Sequence, residues 1–149
     1  MLSADDVQSF LIEADAAGDL LQRHVVNRLY NTHVVLDYSR QSLKLLSLAI
    51  LAIVEDRVAY SVEGAIINSA QYLGETILHA LEGEWAPHNN SIDLYLHHED
   101  GHGQWFDVYT PVLKVIQSAI DGDANSGAQI LWDTFDAAVT TSLKRCAPP

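Results

Sequence analysis

Basic residues are scarce in this sequence, and one long stretch has none. The chain of 149 residues contains 8 lysines and arginines against 20 aspartates and glutamates, which gives a formal net charge of −12. No lysine or arginine occurs between Arg57 and Lys114. Proteins that bind nucleic acid or anionic membranes use Lys and Arg contacts to phosphate, so we expect neither as a partner.

Cysteine is nearly absent as well. Cys146 is the only one, so the chain has no internal disulfide and no cysteine-based metal site, and we expect a reducing compartment. The first residues, Met1 to Asp6, carry acids where a signal peptide needs bases. The longest apolar run, Leu45 to Val54 with one serine inside it, is too short to span a bilayer. We therefore expect a soluble, cytoplasmic protein.

Glycine and proline are also few, with 8 and 4 residues respectively. Together with the length and the average apolar content, this favours one globular domain over residues 1–149. The periodicity of the apolar residues predicts a mostly α fold, in which five to six helices form a bundle. A small antiparallel β-hairpin is predicted as an insertion at about residues 92–108.

The first helix is predicted from its capping residues. Ser3 followed by Asp6 is typical of a capping box, in which two side chains satisfy the first backbone amides of a helix. Gly18 lowers helix propensity without forcing a break. Whether residues 4–30 form one helix or two therefore stays open at this point.

The later helices are predicted in the same way. Ser39 is expected to cap a helix whose residues Leu43 to Val54 are apolar nearly all round, which is typical of a helix buried at the centre of a bundle. The next helix is predicted to begin at Ser61 and to end at Gly83. After the hairpin, Pro111 is expected at the first position of a further helix, where a missing amide has no cost.

A change of period predicts the hairpin. Ile92, Leu94 and Leu96 alternate with polar residues, which is the spacing of a strand. The pair Asp100-Gly101 favours a tight turn before a second strand over 104–108. Because an isolated hairpin is only marginally stable in water, its apolar face must lie on the helices.

Two residues ahead of the hairpin are predicted to serve packing. Gly74 lies inside a helix, where glycine costs about 1 kcal/mol relative to alanine, so we expect it to allow a close helix crossing. Trp85 is expected in the core between that helix and the hairpin. The alternative for Trp85 is an aromatic anchor in an interface.

Several short motifs occur in a defined order along the chain. They are Leu36-Asp37-Tyr38-Ser39 followed by Ser42-Leu43, then Tyr72-Leu73-Gly74-Glu75, then Gly83 with Trp85, the hairpin, and Pro111 with Lys114-Val115. This order resembles a group of small uncharacterised bacterial domains, over roughly residues 30 to 122. The resemblance implies a mostly helical fold with an inserted hairpin and no established enzymatic activity. For some comparable small acidic proteins it implies a role as an immunity protein encoded beside a toxin.

Histidines and acids are concentrated in the predicted hairpin turn. The cluster consists of His97, His98, Glu99, Asp100 and His102, and His88 precedes it. Imidazole and carboxylate are suitable ligands for zinc, nickel or copper. However, neighbouring residues such as His97 and His98 point to opposite faces of a strand. We therefore expect a solvated polar turn and no cofactor, and keep as the alternative a metal-binding protein or metal-dependent enzyme that uses His88, His97, His98 and His102.

The residues predicted to bind a partner are the acids and aromatics of the hairpin and its flanks. They are Glu82, Glu84, Asp93, Tyr95, Glu99, Asp100, Trp105 and Asp107. Large rigid rings beside charges are typical of an interface hot spot with a rim that steers association. A second role, compatible with the first, is that Tyr95 and Trp105 form a cross-strand pair that stabilises the hairpin.

The sequence contains no motif that requires catalysis, since it has neither a Gly-x-Ser-x-Gly elbow nor a glycine-rich phosphate loop. We expect a non-enzymatic inhibitor that binds a basic protein. Its most concrete form is an immunity protein that neutralises a cognate bacterial toxin by occluding the basic active-site cleft with an acidic surface. Besides the metal hypothesis, an acidic adaptor subunit is the third alternative. The oligomeric state stays open.

Overall fold

The computed structural model describes residues 2–30, 34–98, 101–123 and 125–146, with side chains as far as residue 141. Within these residues the chain forms five helices and one three-stranded antiparallel sheet, which confirms the expected mostly α fold with a small β element. The elements are α1 (Ala4–Leu21 with its continuation), α2 (Ser42–Val54), α3 (Val62–Ala80), β1 (Gly83–His88), β2 (Ser91–His97), β3 (Gly103–Phe106), α4 (Tyr109–Ile120) and α5 (Ser126–Cys146).

Helix α1 begins at the predicted capping box. The Ser3 Oγ accepts a hydrogen bond from the Asp6 amide at 3.1 Å, and the Asp6 carboxylate accepts one from the Ser3 amide at 2.9 Å. The helix does not break at Gly18. It continues through a π-helical turn, Gln22–Val26, and ends with Asn27–Leu29. Of the two possibilities for residues 4–30, one helix or two, the structure shows one continuous helix that contains a π turn.

Helix α2 is the central helix, as its composition predicted. Leu43, Leu46 and Ile50 are fully buried. The helix packs against the π turn of α1 and against α3, α4 and α5. The Ser39 Oγ accepts a hydrogen bond from the Ser42 amide at 3.2 Å, as expected for a residue that caps the first turn.

The sheet has one more strand than the predicted hairpin. Strand β1 was missed because Gly83 and Pro87 lie in it, and both residue types are rare in strands. It joins β2 through a two-residue turn in which Asn89 and Asn90 have φ values of 50° and 63°. Positive φ at both central positions is typical of a type I′ turn, which favours asparagine. Strand β3 spans Gly103–Phe106, so the second strand predicted over 104–108 ends two residues early.

Two predicted helix boundaries were wrong. Helix α3 ends at Ala80, and Gly83 starts β1 instead of stopping the helix. Helix α4 begins at Tyr109, which places Pro111 at the third helical position rather than the first. The first-turn amides have no partner within the helix, so proline is tolerated at the third position for the same reason as at the first.

The sheet lies on the helices through one face. Ile92, Leu94 and Leu96 of β2 are buried, as predicted. The Tyr109 hydroxyl donates a hydrogen bond of 2.8 Å to the Ile92 carbonyl and so ties α4 to the sheet. Trp85 of β1 is only 7% exposed, which confirms its predicted place in the core. Among the described helices, none combines the length and the hydrophobicity needed to cross a lipid bilayer.

Candidate functional site

The outward surface of the sheet brings several predicted residues together. Because side chains alternate along a strand, Asp93, Tyr95 and His97 point away from the buried face of β2. The register places Glu84 of β1 and Trp105 of β3 on either side of Tyr95. We call this surface the outer face, and its residues are Glu84, Ala86, His88, Asp93, Tyr95, His97, Gly103 and Trp105.

Four rings form a continuous row across the outer face. The His88 and Trp105 rings are stacked at 4.0 Å between centroids, and Trp105 lies 4.8 Å from the Tyr95 ring. The Tyr95 ring in turn lies nearly perpendicular to the His97 ring, with 5.3 Å between their centroids. This arrangement confirms the predicted cross-strand pair of Tyr95 and Trp105. The row still leaves Trp105 38% exposed, so a large aromatic surface remains accessible to a partner.

Gly103 explains how Tyr95 lies so close to the sheet. A Cβ atom at this position would overlap the Tyr95 ring, so only glycine leaves room for it. A tyrosine that covers a glycine on the neighbouring strand shields the backbone there and limits the number of orientations of the ring. These contacts limit the orientations of the rings before a partner binds, which reduces the entropy lost on binding.

Carboxylates lie at both ends of the row. The His88 Nδ1 and the Asp93 Oδ2 are 2.9 Å apart, which is a hydrogen bond. At the other end the His97 Nε2 lies 3.5 Å from the Glu84 Oε1. None of the outer-face residues is a lysine or arginine. The outer face thus combines apolar rings with negative charge.

The outer face continues into a groove. A cleft of about 250 Å³ is lined by His88, Asp93, Trp105, Phe106 and Asp107. It shares Phe106 and Asp107 with a groove of about 450 Å³ between β3, α4 and α5, which is further lined by Thr110, Pro111, Lys114, Ile130, Asp133, Thr134 and Ala137. We call this second cavity the groove. Lys114 is the one basic residue among its described lining residues.

Asp107 has a structural role that sequence reasoning missed. Its Oδ1 accepts hydrogen bonds from the amides of Tyr109 at 2.9 Å and Thr110 at 3.2 Å, so it caps the first turn of α4. Burial raises the pKa of Asp107, but hydrogen bonds from Thr110 and Tyr109 and the charge of Lys114 outweigh it, so this pKa lies below its usual value. Asp107 is still exposed and lines the groove, but its carboxylate is already engaged.

The other predicted residues are distributed as follows. Glu82 is exposed and precedes β1, where its carbonyl accepts a hydrogen bond of 2.9 Å from the His97 amide. Glu99 and Asp100 lie outside the described residues. The groove residues on α4 and α5 were not predicted, because only the packing of two helices distant in sequence brings them beside β3.

The structure does not gather the histidines of the metal hypothesis at one point, although the His98 amide donates a hydrogen bond of 2.8 Å to the His102 carbonyl. His88 and His97 lie at opposite ends of the ring row. His98 follows β2 on the opposite side from His97 and is buried, with a 6% exposed surface. Neither His98 ring nitrogen has a hydrogen-bond partner among the described residues. Across that same part of the chain, no three His, Cys, Asp or Glu side chains lie close enough to hold a metal ion.

Comparison with known proteins finds no matching family model, no matching curated protein and no matching solved structure.

Proposed function

We propose that this chain is a non-enzymatic inhibitor that binds a basic protein through the outer face and the groove. In its most concrete form it is a cytoplasmic immunity protein that neutralises a cognate bacterial toxin by occluding the toxin's basic active-site cleft. The observation that carries the proposal is the continuous row of rings, with Trp105 partly exposed and a carboxylate at each end.

The charges favour a basic partner. The whole chain has a net charge of −12, and the outer face contributes Glu84 and Asp93 without any opposing Lys or Arg. A field of one sign speeds the encounter with a partner of the other sign and repels partners of like charge. In the complex, carboxylates would occupy the places of substrate phosphates in the partner's cleft.

The rings favour tight binding at the centre of the interface. Tryptophan and tyrosine bury large areas and lose little conformational entropy, which is why they are enriched among interface hot spots. Trp105 already has its position set by His88 and Tyr95 on either side. The adjoining groove offers an apolar floor, with Phe106 and Ile130, for a side chain or a short segment of the partner.

The geometry at His88 supports binding rather than catalysis. An imidazole beside a carboxylate, as in the pair of His88 and Asp93, is a common acid or base in enzymes. Here the second nitrogen of His88 lies 3.4 Å from the Asn89 amide nitrogen, which is not a nucleophile. The flat face of the same imidazole is covered by Trp105, so the ring serves as a part of the row.

The experiment has two stages. The tagged protein and its Trp105→Ala variant are used to capture partners from a lysate of the native host at low and moderate salt. A basic protein that is bound stoichiometrically by the wild type, and lost with Trp105→Ala, is then purified and its own activity is measured with and without the wild-type chain. Tyr30→Ala, which removes an equally exposed ring outside the outer face, is the control for a general loss of aromatic surface.

Inhibition of the partner by an equimolar amount of the wild type, but not of the Trp105→Ala variant, is the expected result. A partner that binds without loss of activity would support the adaptor alternative instead. Equal capture by the wild type and by Trp105→Ala would contradict the proposed surface.

A further inference from the structure

A separate cavity gathers positive charge in this acidic protein. It has a volume of about 370 Å³ and is lined by His24, Arg28, Arg57, Val58 and Ala59. This volume falls in the range of sites that bind small molecules. Two of the 8 basic residues of the chain and one histidine thus border a single cavity, on elements that do not contribute to the outer face or the groove. We call it the basic cavity.

The π turn of α1 provides two of these side chains. His24 lies within the turn Gln22–Val26, and Arg28 lies in the short helical segment that follows it. Val25 and Val26 are fully buried and anchor this part of the helix, while His24 and Arg28 are exposed at the cavity. A π turn changes the direction of the side chains after it, and such turns occur frequently at functional sites.

Arg57 is positioned by the end of α2. Asp56 has a φ of 58°, its amide donates to the Ile53 carbonyl at 3.1 Å, and the Arg57 amide donates to the Ala52 carbonyl at 2.9 Å. This pair of bonds is the Schellman arrangement, which ends a helix in a defined geometry. Aspartate is among the few residues that tolerate the left-handed conformation it requires. The backbone that bears Arg57 is therefore held in place.

The cations of the basic cavity are weakly neutralised. Arg28 and His24 have no ion pair or hydrogen bond with any described residue. Arg57 lies 3.5 Å from the Glu55 carboxylate, and both side chains are about half exposed, so this pair contributes little.

Arginines elsewhere in the chain are better paired. Arg40 forms two hydrogen bonds of 2.8 Å with the Asp136 carboxylate, and Arg23 lies 2.6 Å from Asp19. The guanidinium groups of the basic cavity therefore remain available to an anion.

A neighbouring depression extends the basic cavity toward the start of α3. This depression, of about 380 Å³, shares His24 and Ala59 with the basic cavity and reaches Ser61 and Gly64. The beginning of a helix carries a partial positive charge from its unpaired amides. At α3 this charge is a small addition to the field of the two arginines, because the Ser61 Oγ already accepts a hydrogen bond of 2.9 Å from the Gly64 amide and Glu63 in the same turn opposes it.

We propose that the basic cavity binds a phosphate-type anion, either free phosphate or the phosphate group of a small organic phosphate. Guanidinium groups donate two parallel hydrogen bonds to phosphate oxygens, and an imidazole donates one more. Arg28 and Arg57 border the cavity from different elements, and His24 borders both the basic cavity and the neighbouring depression. Because the net charge of −12 repels anions at long range, we expect an affinity on the order of 1 mM.

The test is an NMR titration of the full chain at constant ionic strength, with sodium chloride replaced stepwise by inorganic phosphate. Saturable shifts at His24, Arg57 and Ala59 are expected. Arg28→Gln and Arg57→Gln should each weaken the binding about tenfold. Arg23→Gln removes the same charge one residue from His24 but outside the basic cavity, and should leave the affinity within about twofold of the wild type.

A parallel titration with glycerol 3-phosphate separates the two sources of the anion. Tighter binding than that of inorganic phosphate would point to an organic phosphate, and equal binding to the free ion. Shifts that do not saturate, or an equal loss of affinity in Arg23→Gln, would overturn the proposal. The amide spectrum of each variant shows whether the fold is kept, so that a lost site is distinguished from a lost structure.

Discussion

The indole ring of Trp85 lies directly against Gly74 of α3, where a Cβ atom would overlap the ring. The indole nitrogen donates a hydrogen bond of 3.0 Å to the Glu75 carboxylate, and the ring meets Phe10 edge-on at 5.0 Å. We predicted that Gly74 allows another helix to cross closely. The structure shows instead that it makes room for the side chain of Trp85 from β1. Gly74 sets how the sheet is attached to the helices.

Gly74→Ala is expected to destabilise the fold. In a helix interior the change normally stabilises by about 1 kcal/mol. Here the added methyl group must displace the Trp85 ring, and overpacking of this kind costs typically about 1–3 kcal/mol, so we expect a net loss of up to about 2 kcal/mol. Urea denaturation measures the change in the free energy of unfolding. In a Trp85→Leu background the same change should be neutral or stabilising, and a stabilised Gly74→Ala variant with Trp85 present would contradict the packing.

Trp105→Ala is expected to weaken the complex with the partner. Loss of a central aromatic residue costs about 2 kcal/mol or more, which is about 30-fold in affinity. Titration calorimetry with the purified partner measures the change. Tyr30→Ala is the matched control, because Tyr30 is 37% exposed against 38% for Trp105 and lies outside the outer face. Similar losses from both variants would indicate that binding occurs elsewhere.

Charge reversal at Glu84 is expected to slow association. The variant Glu84→Lys places a positive charge at one end of the ring row, and the association rate with a basic partner should fall about three- to tenfold at low salt. Stopped-flow kinetics at two salt concentrations measure the rate, and added salt should reduce the difference between variant and wild type. Asp15→Lys makes the same change in net charge on α1. If it slows association less than Glu84→Lys does, the attraction depends on the charge of the outer face and not only on the net charge of the protein.

Asp107→Ala is expected to cost about 1 kcal/mol at neutral pH, because α4 loses its capping carboxylate. Hydrogen bonds from Thr110 and Tyr109 leave the pKa of Asp107 below its usual value despite burial, which alone would raise it. The contribution of the carboxylate is thus present above the unfolded pKa of about 3.9 and is lost as the pH falls through the folded pKa. The stabilities of variant and wild type should begin to converge below about pH 4 and meet once the pH is below the folded pKa, and a difference that does not shrink below that pH would contradict this account.

Tyr109→Phe is expected to cost about 1 kcal/mol at neutral pH, since the sheet loses the hydrogen bond to the Ile92 carbonyl. Burial and the nearby Asp93 raise the pKa of Tyr109 to about 12. The hydroxyl therefore stabilises the fold fully below the unfolded pKa of about 10, and this contribution is lost as the pH rises toward 12. Alkaline denaturation of both proteins, with Tyr30→Phe as an exposed control, should show the variant losing less stability over this interval.

Local patterns predicted the helices well, because their determinants are near in sequence. The capping box at Ser3 and Asp6 and the apolar composition of α2 both act within one or two turns. Strand β1 was not predicted, because it contains Gly83 and Pro87, which are rare in strands. The one local indication of a hairpin there was the pair Asn89-Asn90. Asparagine at both positions of a tight turn is the sign that would have identified it.

The candidate surfaces were only partly predictable, because some of their residues are near in sequence and others are brought together only by the fold. Tyr95 and Trp105 were paired correctly, since a hairpin brings near neighbours together. The groove requires α4 and α5 to pack side by side, and the basic cavity joins His24 and Arg28 to Arg57 across the fold. No periodicity in the sequence indicates such contacts, because they depend on tertiary packing.

The stretch without Lys or Arg also determines which cross-linking reagents can detect a partner bound to the outer face. Amine-reactive cross-linkers find no lysine on the outer face, and Lys114 lies at the groove instead. A carbodiimide, by contrast, would join the carboxylates of Glu84 and Asp93 to lysines of a protein bound there. Trypsin cuts only after Lys and Arg, so α3, the whole sheet and the start of α4 are released as one peptide, Val58–Lys114, and every such cross-link would be carried by that single fragment.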